Sequence, residues 1–258
     1  MTMNSFLNQL VLVTGSGRGI GKAIALHFAE QGADVVVNYL RNEKSAHEVV
    51  DQIVSMGRRS VAIQANIGKT EHIMRLFEQI SQQFGFLDIF ISNAATGFNR
   101  PAMRQKEMGW DWTFNVNVKG FLFSCQQAVP LMKKRGGGKI VAISSPGSQL
   151  VLPDYASVGP SKAALESVMR YLAVELAAEK INVNAISPGI VETDALKHFA
   201  SLGDKELIPQ IIAATPNGRL VTPADIARVT AFLCLPDAEM ITGQVITVDG
   251  GFTLQARI

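Results

Sequence analysis

Short apolar runs rich in β-branched residues recur along the chain, and after each of them apolar residues return every three to four positions. Leu10–Val13 is the first run. Behind it Ile20, Ile24 and Phe28 repeat at helical spacing until Gln31-Gly32 stops the helix. Asp34–Tyr39 reads as a second buried strand. Strand, glycine-rich turn, helix and strand make a βαβ unit, which requires a right-handed crossover. The alternation predicts helices over about Glu43–Met56 and Thr70–Phe84, with strands at Ser60–Gln64 and Leu87–Ser92. A longer helix from about Trp110 to Lys134, a strand Lys139–Ser144, a helix Ser161–Glu179 and a strand Ile181–Ile186 follow. A helix Pro223–Leu235 and a strand Gln244–Val248 close the pattern. Runs apolar on both faces, separated by helices, predict an α/β fold. The expected architecture is a single-domain, doubly wound (Rossmann) seven-stranded parallel sheet with helices on both faces, without repeats or linkers.

Composition narrows the function classes. The 258 residues are 47% hydrophobic and 18% charged, which suits a packed globule rather than a disordered chain. A net charge of +2 gives no footing for nucleic acid or a membrane surface as partner. Cys125 and Cys234 stand far apart in apolar surroundings and read as buried thiols of a reducing compartment. Met1–Gln9 lacks a basic segment leading into an apolar one, and no stretch nears the roughly 18 apolar residues of a membrane span. A cytoplasmic protein is expected. No Cys, His or carboxylate cluster has metal-ligand spacing, so no metal is expected.

Two stretches carry candidate chemistry. In the first, Gly15, Gly19 and Gly21 line the turn after the first strand, where backbone N–H groups at a helix N-terminus can bind phosphate. The second strand ends in Val37-Asn38-Tyr39-Leu40-Arg41, with no carboxylate to hold a ribose diol or to repel a 2′-phosphate. Arg18 and Arg41 could pair with that phosphate, which favours NADPH; two solvated surface arginines are the bland alternative. The second stretch runs from Ser144-Ser145 through Tyr155 to Ser161-Lys162. An ammonium beside a phenol favours the phenolate and would draw the tyrosine pKa down. Pro160 suits a first helical turn, so the helix is expected to begin near Gly159 or Pro160 with Tyr155 on the loop before it. A buried core tyrosine and a surface lysine would explain the same letters.

With these motifs the sequence resembles the short-chain dehydrogenase/reductase family over nearly its whole length. Thr14-Gly15-x3-Gly19-Ile20-Gly21 looks like the cofactor loop of that family, and the resemblance brings Ser16 and Ile20 into the cofactor set with Arg18 and Asn38. Asn66-Ile67 stands where the family contacts adenine. Ser92-Asn93-Ala94-Ala95 is similar to its Asn-Asn-Ala-Gly turn, with Asn93 and Ala94 facing cofactor and Ala95 facing substrate. Asn117 falls at the structural and proton-relay asparagine, Ser145 at the catalytic serine, and Lys162 at the lysine that opens the catalytic helix. Pro188-Gly189 with Thr193 resembles the segment closing over the nicotinamide, and Val248-Asp249-Gly250-Gly251 the turn near a subunit interface. Assembly as a homotetramer is what the family implies.

One departure narrows the resemblance. The family's Tyr-x3-Lys would put tyrosine at position 158, which is Val158; the available tyrosine is Tyr155, in Tyr-x6-Lys spacing. That spacing is similar to the enoyl-acyl-carrier-protein reductases, and neighbouring stretches resemble their NADPH-dependent type III (FabL-like) group, apart from Pro160 and Pro188. Enoyl reduction puts hydride on the β-carbon and negative charge on the more distant thioester oxygen, so a tyrosine displaced along the chain is a way to reach it. Tyr155 and Lys162 are the expected catalytic pair, with Ser145 and Asn117 in support. Ile190–Arg219 reads as an irregular flap over an acyl chain, with Leu196 and Phe199 on it and Phe98, Met103 and Trp110 opposite; core packing explains each apolar residue equally well. His198 on this flap reads as structural or surface rather than a base. Lys133-Lys134-Arg135, with Arg100 and Arg104, is a candidate dock for an acidic acyl carrier protein, against the ordinary preference for cations at a helix C-terminus. The expected activity is NADPH-dependent reduction of enoyl thioesters on acyl carrier protein or coenzyme A in fatty acid synthesis. The alternatives are a 3-oxoacyl thioester or other carbonyl reductase, and a catalytically silent NADPH-binding protein.

Overall fold

The structure, a computed structural model, describes residues 4–192 and 207–254. Its strands are β1 (Leu10–Val13), β2 (Asp34–Tyr39), β3 (Ser60–Gln64), β4 (Ile89–Ser92), β5 (Gly138–Ile143), β6 (Ile181–Pro188) and β7 (Val245–Val248). They form one seven-stranded sheet in the order β3-β2-β1-β4-β5-β6-β7, every pair parallel. Between the strands run α1 (Gly19–Glu30), α2 (Glu43–Ser55), α3 (Thr70–Gln83), α4 (Glu107–Phe114), α5 (Gly120–Lys133), α6 (Val158–Glu175), α7 (Leu207–Ala213) and α8 (Pro223–Leu233). The winding reverses between β1 and β4, and Val13 stands level with both Val37 and Ile91 at that point.

Alternation along each strand sorts the apolar side chains into two cores. Leu10 and Leu12, Phe90, Ile140 and Val183 face one side, where α3, α5 and α6 add Phe77, Phe121 and Met169. Val11 and Val13, Ile91, Val141 and Ile186 face the other, against Ile24 and Phe28 of α1, Val49 of α2 and Ile226 of α8. Successive strand residues point to opposite faces, so a continuous apolar run is the signature of a sheet covered on both sides. Cys125 and Cys234 are both buried free thiols, one in each core. Among the described residues no helix is long and apolar enough to cross a membrane.

Three elements differ from the sequence expectation. The helix expected from Trp110 begins at Glu107 and is broken by a π-helical turn over Asn115–Lys119 before α5 continues. α6 starts at Val158, so Pro160 lies in its first turn, where no backbone N–H is missed; it ends at Glu175, and a 3-10 turn Ala177–Glu179 completes the stretch. Within Ile190–Arg219, expected to be irregular, Leu207–Ala213 is helical.

Candidate active site

The loops leaving β1 and β4 meet at the reversal of the sheet, the place where open α/β sheets bind ligands. Thr14 Oγ1 accepts hydrogen bonds from the N–H groups of Asn93 and Ala94, both at 3.0 Å. Asn93 Nδ2 donates to Thr14 O at 2.8 Å and to Gly15 O at 3.1 Å. The approach is close enough to demand glycine: a Cβ on Gly15, whose φ is +64°, would stand 3.1 Å from Ala94 Cα, and one on Gly21 would stand 2.5 Å from Asn93 Nδ2. Arg18 is the N-cap of α1 and supplies no side-chain cap, whereas Asn42 caps α2 and Thr222 caps α8. The first-turn N–H groups of α1, at Gly19, Ile20 and Gly21, are thus left for an anion, and this glycine-lined cradle fits the pyrophosphate of a dinucleotide.

Two expected cofactor side chains are turned inward instead. Ser16 Oγ donates to Val13 O at 2.8 Å and accepts from the Asn38 N–H at 3.2 Å. Asn38 is buried; its Oδ1 accepts from the Gly15 N–H at 3.2 Å and its Nδ2 donates to the carbonyls of Ile63 and Ala65. Both side chains hang the glycine loop on β2 and β3. Arg18 and Arg41 are exposed, and among the described residues neither is ion-paired. A Cβ on Gly17 would lie 3.5 Å from Ala46 N, which sets the loop carrying Arg18 against the start of α2, close behind Arg41. Asn66 Oδ1 accepts from the Gly68 N–H, and Ile67 is buried beside it. Pro188 and Gly189 end β6 on the same edge of the sheet, with the Gly189 N–H donating to Val248 O at 2.9 Å. Thr193, Leu196, His198 and Phe199 lie outside the described residues.

β5 and α6 deliver the second half of the site. Ser145, just past β5, donates through Oγ to Tyr155 Oη at 3.3 Å. The Tyr155 ring lies against backbone without side chains: a Cβ on Gly147 would stand 2.6 Å from its Cδ1 and Cε1, and one on Gly159 would stand 2.6 Å from Gly147 O. Asp154 takes a left-handed φ of 58° to turn the chain into Tyr155. At position 158 the buried Val158 packs so closely on Gly97 that no Cβ could stand there. Lys162 is 5% exposed, and its Nζ donates to Ile143 O at 2.7 Å. Asn117, placed by the π-helical turn, bonds both the N–H and the carbonyl of Thr96 and donates to Ser161 Oγ at 2.9 Å, so it braces the loop after β4 on α6.

The electrostatics differ from the simple expectation of a depressed tyrosine. Burial pushes the Tyr155 phenol above its ordinary range, against the opposing hydrogen bond from Ser145. The ammonium of Lys162 is directed at the Ile143 carbonyl, and burial lowers its pKa to about 8 against the opposing charge of Glu166. The phenol therefore holds its proton at neutral pH, which suits a donor.

Around this centre the rim is apolar. Met103 is 96% exposed and Val151 fully exposed, with Phe98, Met108, Trp110 and Leu150 also presenting surface; Ala95 is exposed on the same loop. Phe98 lies over Gly109, and Trp110 stacks on Phe114 with centroids 4.9 Å apart. The loop after β4 is stitched to the loop before α6: Arg100 bridges to Tyr155, its N–H donates to Asp154 O at 2.7 Å, and Ser157 Oγ donates to Phe98 O. Arg100 and Arg104 thus stand at the mouth. The expected dock at Lys133-Lys134-Arg135 is engaged internally. Lys133 pairs with Glu179 at 2.6 Å, Lys134 Nζ donates to Gly85 O, and Arg135 pairs with Asp88 and stacks on Phe86. Ser144 and Glu166, to which the sequence assigned no role, hydrogen-bond each other between the end of β5 and α6; a charge at the spacing of α6's buried stripe was the available signal.

Residues 15–253 match a family model described as enoyl-(acyl carrier protein) reductase. The chain is 42% identical over 260 residues to a hydroxynaphthalene reductase-like protein Arp2 of Metarhizium anisopliae, covering 97% of both chains. It is 39% identical over 248 residues to a 1-cyclohexenylcarbonyl-CoA reductase of Streptomyces collinus, covering 96% of this chain and 88% of that one. A 7α-hydroxysteroid dehydrogenase, solved with NADH and 7-oxo-glycochenodeoxycholic acid, superposes with a TM-score of 0.91 at 34% identity, covering 96% of each chain. On the sheet order, the glycine cradle and these matches together, the chain is a member of the short-chain dehydrogenase/reductase family of oxidoreductases, within reach of its enoyl-(acyl carrier protein) reductase model.

Proposed function

We propose that this protein reduces the trans-2 double bond of enoyl thioesters with NADPH, on acyl carrier protein or coenzyme A, in fatty acid synthesis. The observation that carries the reading is the position of its phenol. Val158 fills the place three residues before Ser161 with a buried alkyl group, while Tyr155, in its glycine slot, meets Ser145 at 3.3 Å. The Streptomyces relative supports it, since its name describes a thioester whose double bond is conjugated to the carbonyl.

The bound nicotinamide would supply hydride to the β-carbon, and negative charge would then collect on the thioester oxygen. Tyr155 donates to that oxygen, stabilising the enolate, and its raised pKa keeps the proton available. Ser145 fixes the phenol and orients the carbonyl. Lys162 holds the ribose hydroxyls and sets the positive potential beneath the tyrosine. Asn117 holds the helix in register. Gly15, Gly19 and Ile20 would hold the pyrophosphate with Asn93 and Ala94 alongside, Arg18 and Arg41 would pair with the 2′-phosphate, and Asn66 and Ile67 would face the adenine. Pro188, Gly189 and Thr193 would hold the nicotinamide, and Ala95 and Phe98, with Leu196 and Phe199, would receive the acyl group. One domain, working as a cytoplasmic homotetramer, completes the reading.

A carbonyl reductase of 3-oxoacyl thioesters is the second reading, favoured by the Ser145–Tyr155 hydrogen bond, a pairing equally able to protonate a substrate carbonyl. A paired assay of NADPH oxidation separates the two. Turnover with a trans-2-enoyl thioester and none with the matching 3-oxoacyl thioester is expected; turnover only with the oxo substrate overturns the proposal.

A further inference from the structure

β5 runs out into two serines that serve opposite sides. Ser145 turns to Tyr155, while Ser144, one residue earlier, donates through Oγ to Glu166 Oε1 at 2.5 Å. Glu166 is 4% exposed and stands one helical turn beyond Lys162 on α6, on the same face. A buried ammonium and a buried carboxyl are thus neighbours, and reduction itself has no use for the carboxyl.

The surroundings leave Lys162 little else. Its one hydrogen bond among the described residues is to a carbonyl dipole, Ile143 O, and not to a charge. The other titratable groups on the elements packed against α6 are Lys139 on β5, Lys119 on the π-helical turn, Glu107 and Asp111 on α4, Asp154 and Tyr155 before α6, and Glu179 after it. Of these only Tyr155 lies largely buried next to the site, and it is neutral; the rest reach solvent. β6 carries no titratable side chain. An ammonium removed from water without a counter-charge sheds its proton or destabilises the fold.

We infer that Glu166, seated by Ser144, is a positioning residue that keeps Lys162 an ammonium within the protein and locks the end of β5 to α6. The lock sets Ser145 and Lys162 at a fixed separation, because Ser144–Glu166 adds a second buried hydrogen bond to the one Lys162 makes with Ile143 O at the strand end. The opposing influence of Glu166 on the lowered pKa of Lys162 agrees with this role. The inference rests on the proposed function only in giving Lys162 a task.

The test titrates Lys162 directly. In protein carrying isotope-labelled lysine, the Lys162 side-chain NMR signal, assigned by its loss in Lys162→Arg, is followed with pH in wild type, Glu166→Gln and Glu166→Asp. Glu166→Gln should lower the midpoint by about one pH unit, a tenfold change, and Glu166→Asp should restore most of it. The alkaline limb of kcat/KM, with whichever thioester is reduced, should move by the same amount. An unmoved midpoint in Glu166→Gln overturns the inference; a moved midpoint with an unmoved limb counts instead against the task that the proposed function gives Lys162. Should Glu166→Gln not fold, Lys162→Met/Glu166→Gln is expected to restore a cooperative thermal unfolding transition, and a double variant that is equally unfolded counts against the counter-charge. The NMR result stands whether or not the enoyl substrate is turned over, so the two proposals fail separately.

Discussion

Burial acts on the two central residues in opposite directions, because it disfavours charge: it raises the Tyr155 phenol and lowers Lys162 to about 8. Activity that needs the ammonium should be full below that value and fall as the pH rises through about 8, read as the alkaline limb of kcat/KM. Stability should run the other way. Between about 8 and the ordinary lysine value of 10.5 the unfolded chain binds more protons than the folded one, so this group makes folding more favourable as pH rises through that window. Chemical denaturation at two alkaline pH values would check the sign. Tyr155→Phe should lower kcat by about a hundredfold or more with NADPH affinity nearly unchanged; equal loss of both would remove Tyr155 from the donor role. The placing of Tyr155 just before α6 and of Lys162 within it was legible because their spacing is written in the sequence. The inward turn of Ser16 and Asn38 was not, since letters at a strand end do not say which partner a short polar side chain will find.

At the scale of elements, the site depends on how loops are seated against helices. Gly147 offers the Tyr155 ring a bare backbone, and an alanine there would meet that ring and little else. Gly147→Ala should therefore cost about tenfold or more in kcat in the wild type, yet add almost nothing in a Tyr155→Phe background, where the phenol is already missing. α8 makes a simpler case. Thr222 and Asp225 cap its start reciprocally, and Asp225, held well below the usual carboxylate range chiefly by the hydrogen bond from Arg219, ties in two arginines. Thr222→Ala should destabilise by about 1 kcal/mol in denaturant unfolding, without touching turnover. Strands and most helices were legible from apolar periodicity alone. The π-helical turn was not, because it answers to a tertiary demand: Asn117 must reach Thr96 and Ser161 together. Lys133-Lys134-Arg135 looked like a free basic patch because Glu179 and Asp88, which neutralise two of the three, lie far off in sequence.

Across the whole molecule, a parallel sheet with a core on each face fixes where its strand ends converge, and the fold was legible at this level because its strands carry apolar residues on both faces. The cradle at the sheet's reversal predicts strong coupling between ligand and stability. NADPH at about a hundred times its Kd should stabilise the fold by about 2.7 kcal/mol, visible as a raised Tm. NADH at the same concentration should do less, and Arg18→Ala/Arg41→Ala should erase the difference.

The bridge between Arg100 and Tyr155 also bears on redesign. Because the rim segment and the donor's own loop share a backbone hydrogen bond and a side-chain one, they form one interchangeable cassette. Grafting the first from a relative with another substrate preference would import a mismatched seam beside the phenol. Residues 94–106 and 146–157 should be exchanged together, and a library that recombines them freely should yield active chimaeras mainly where both come from one parent.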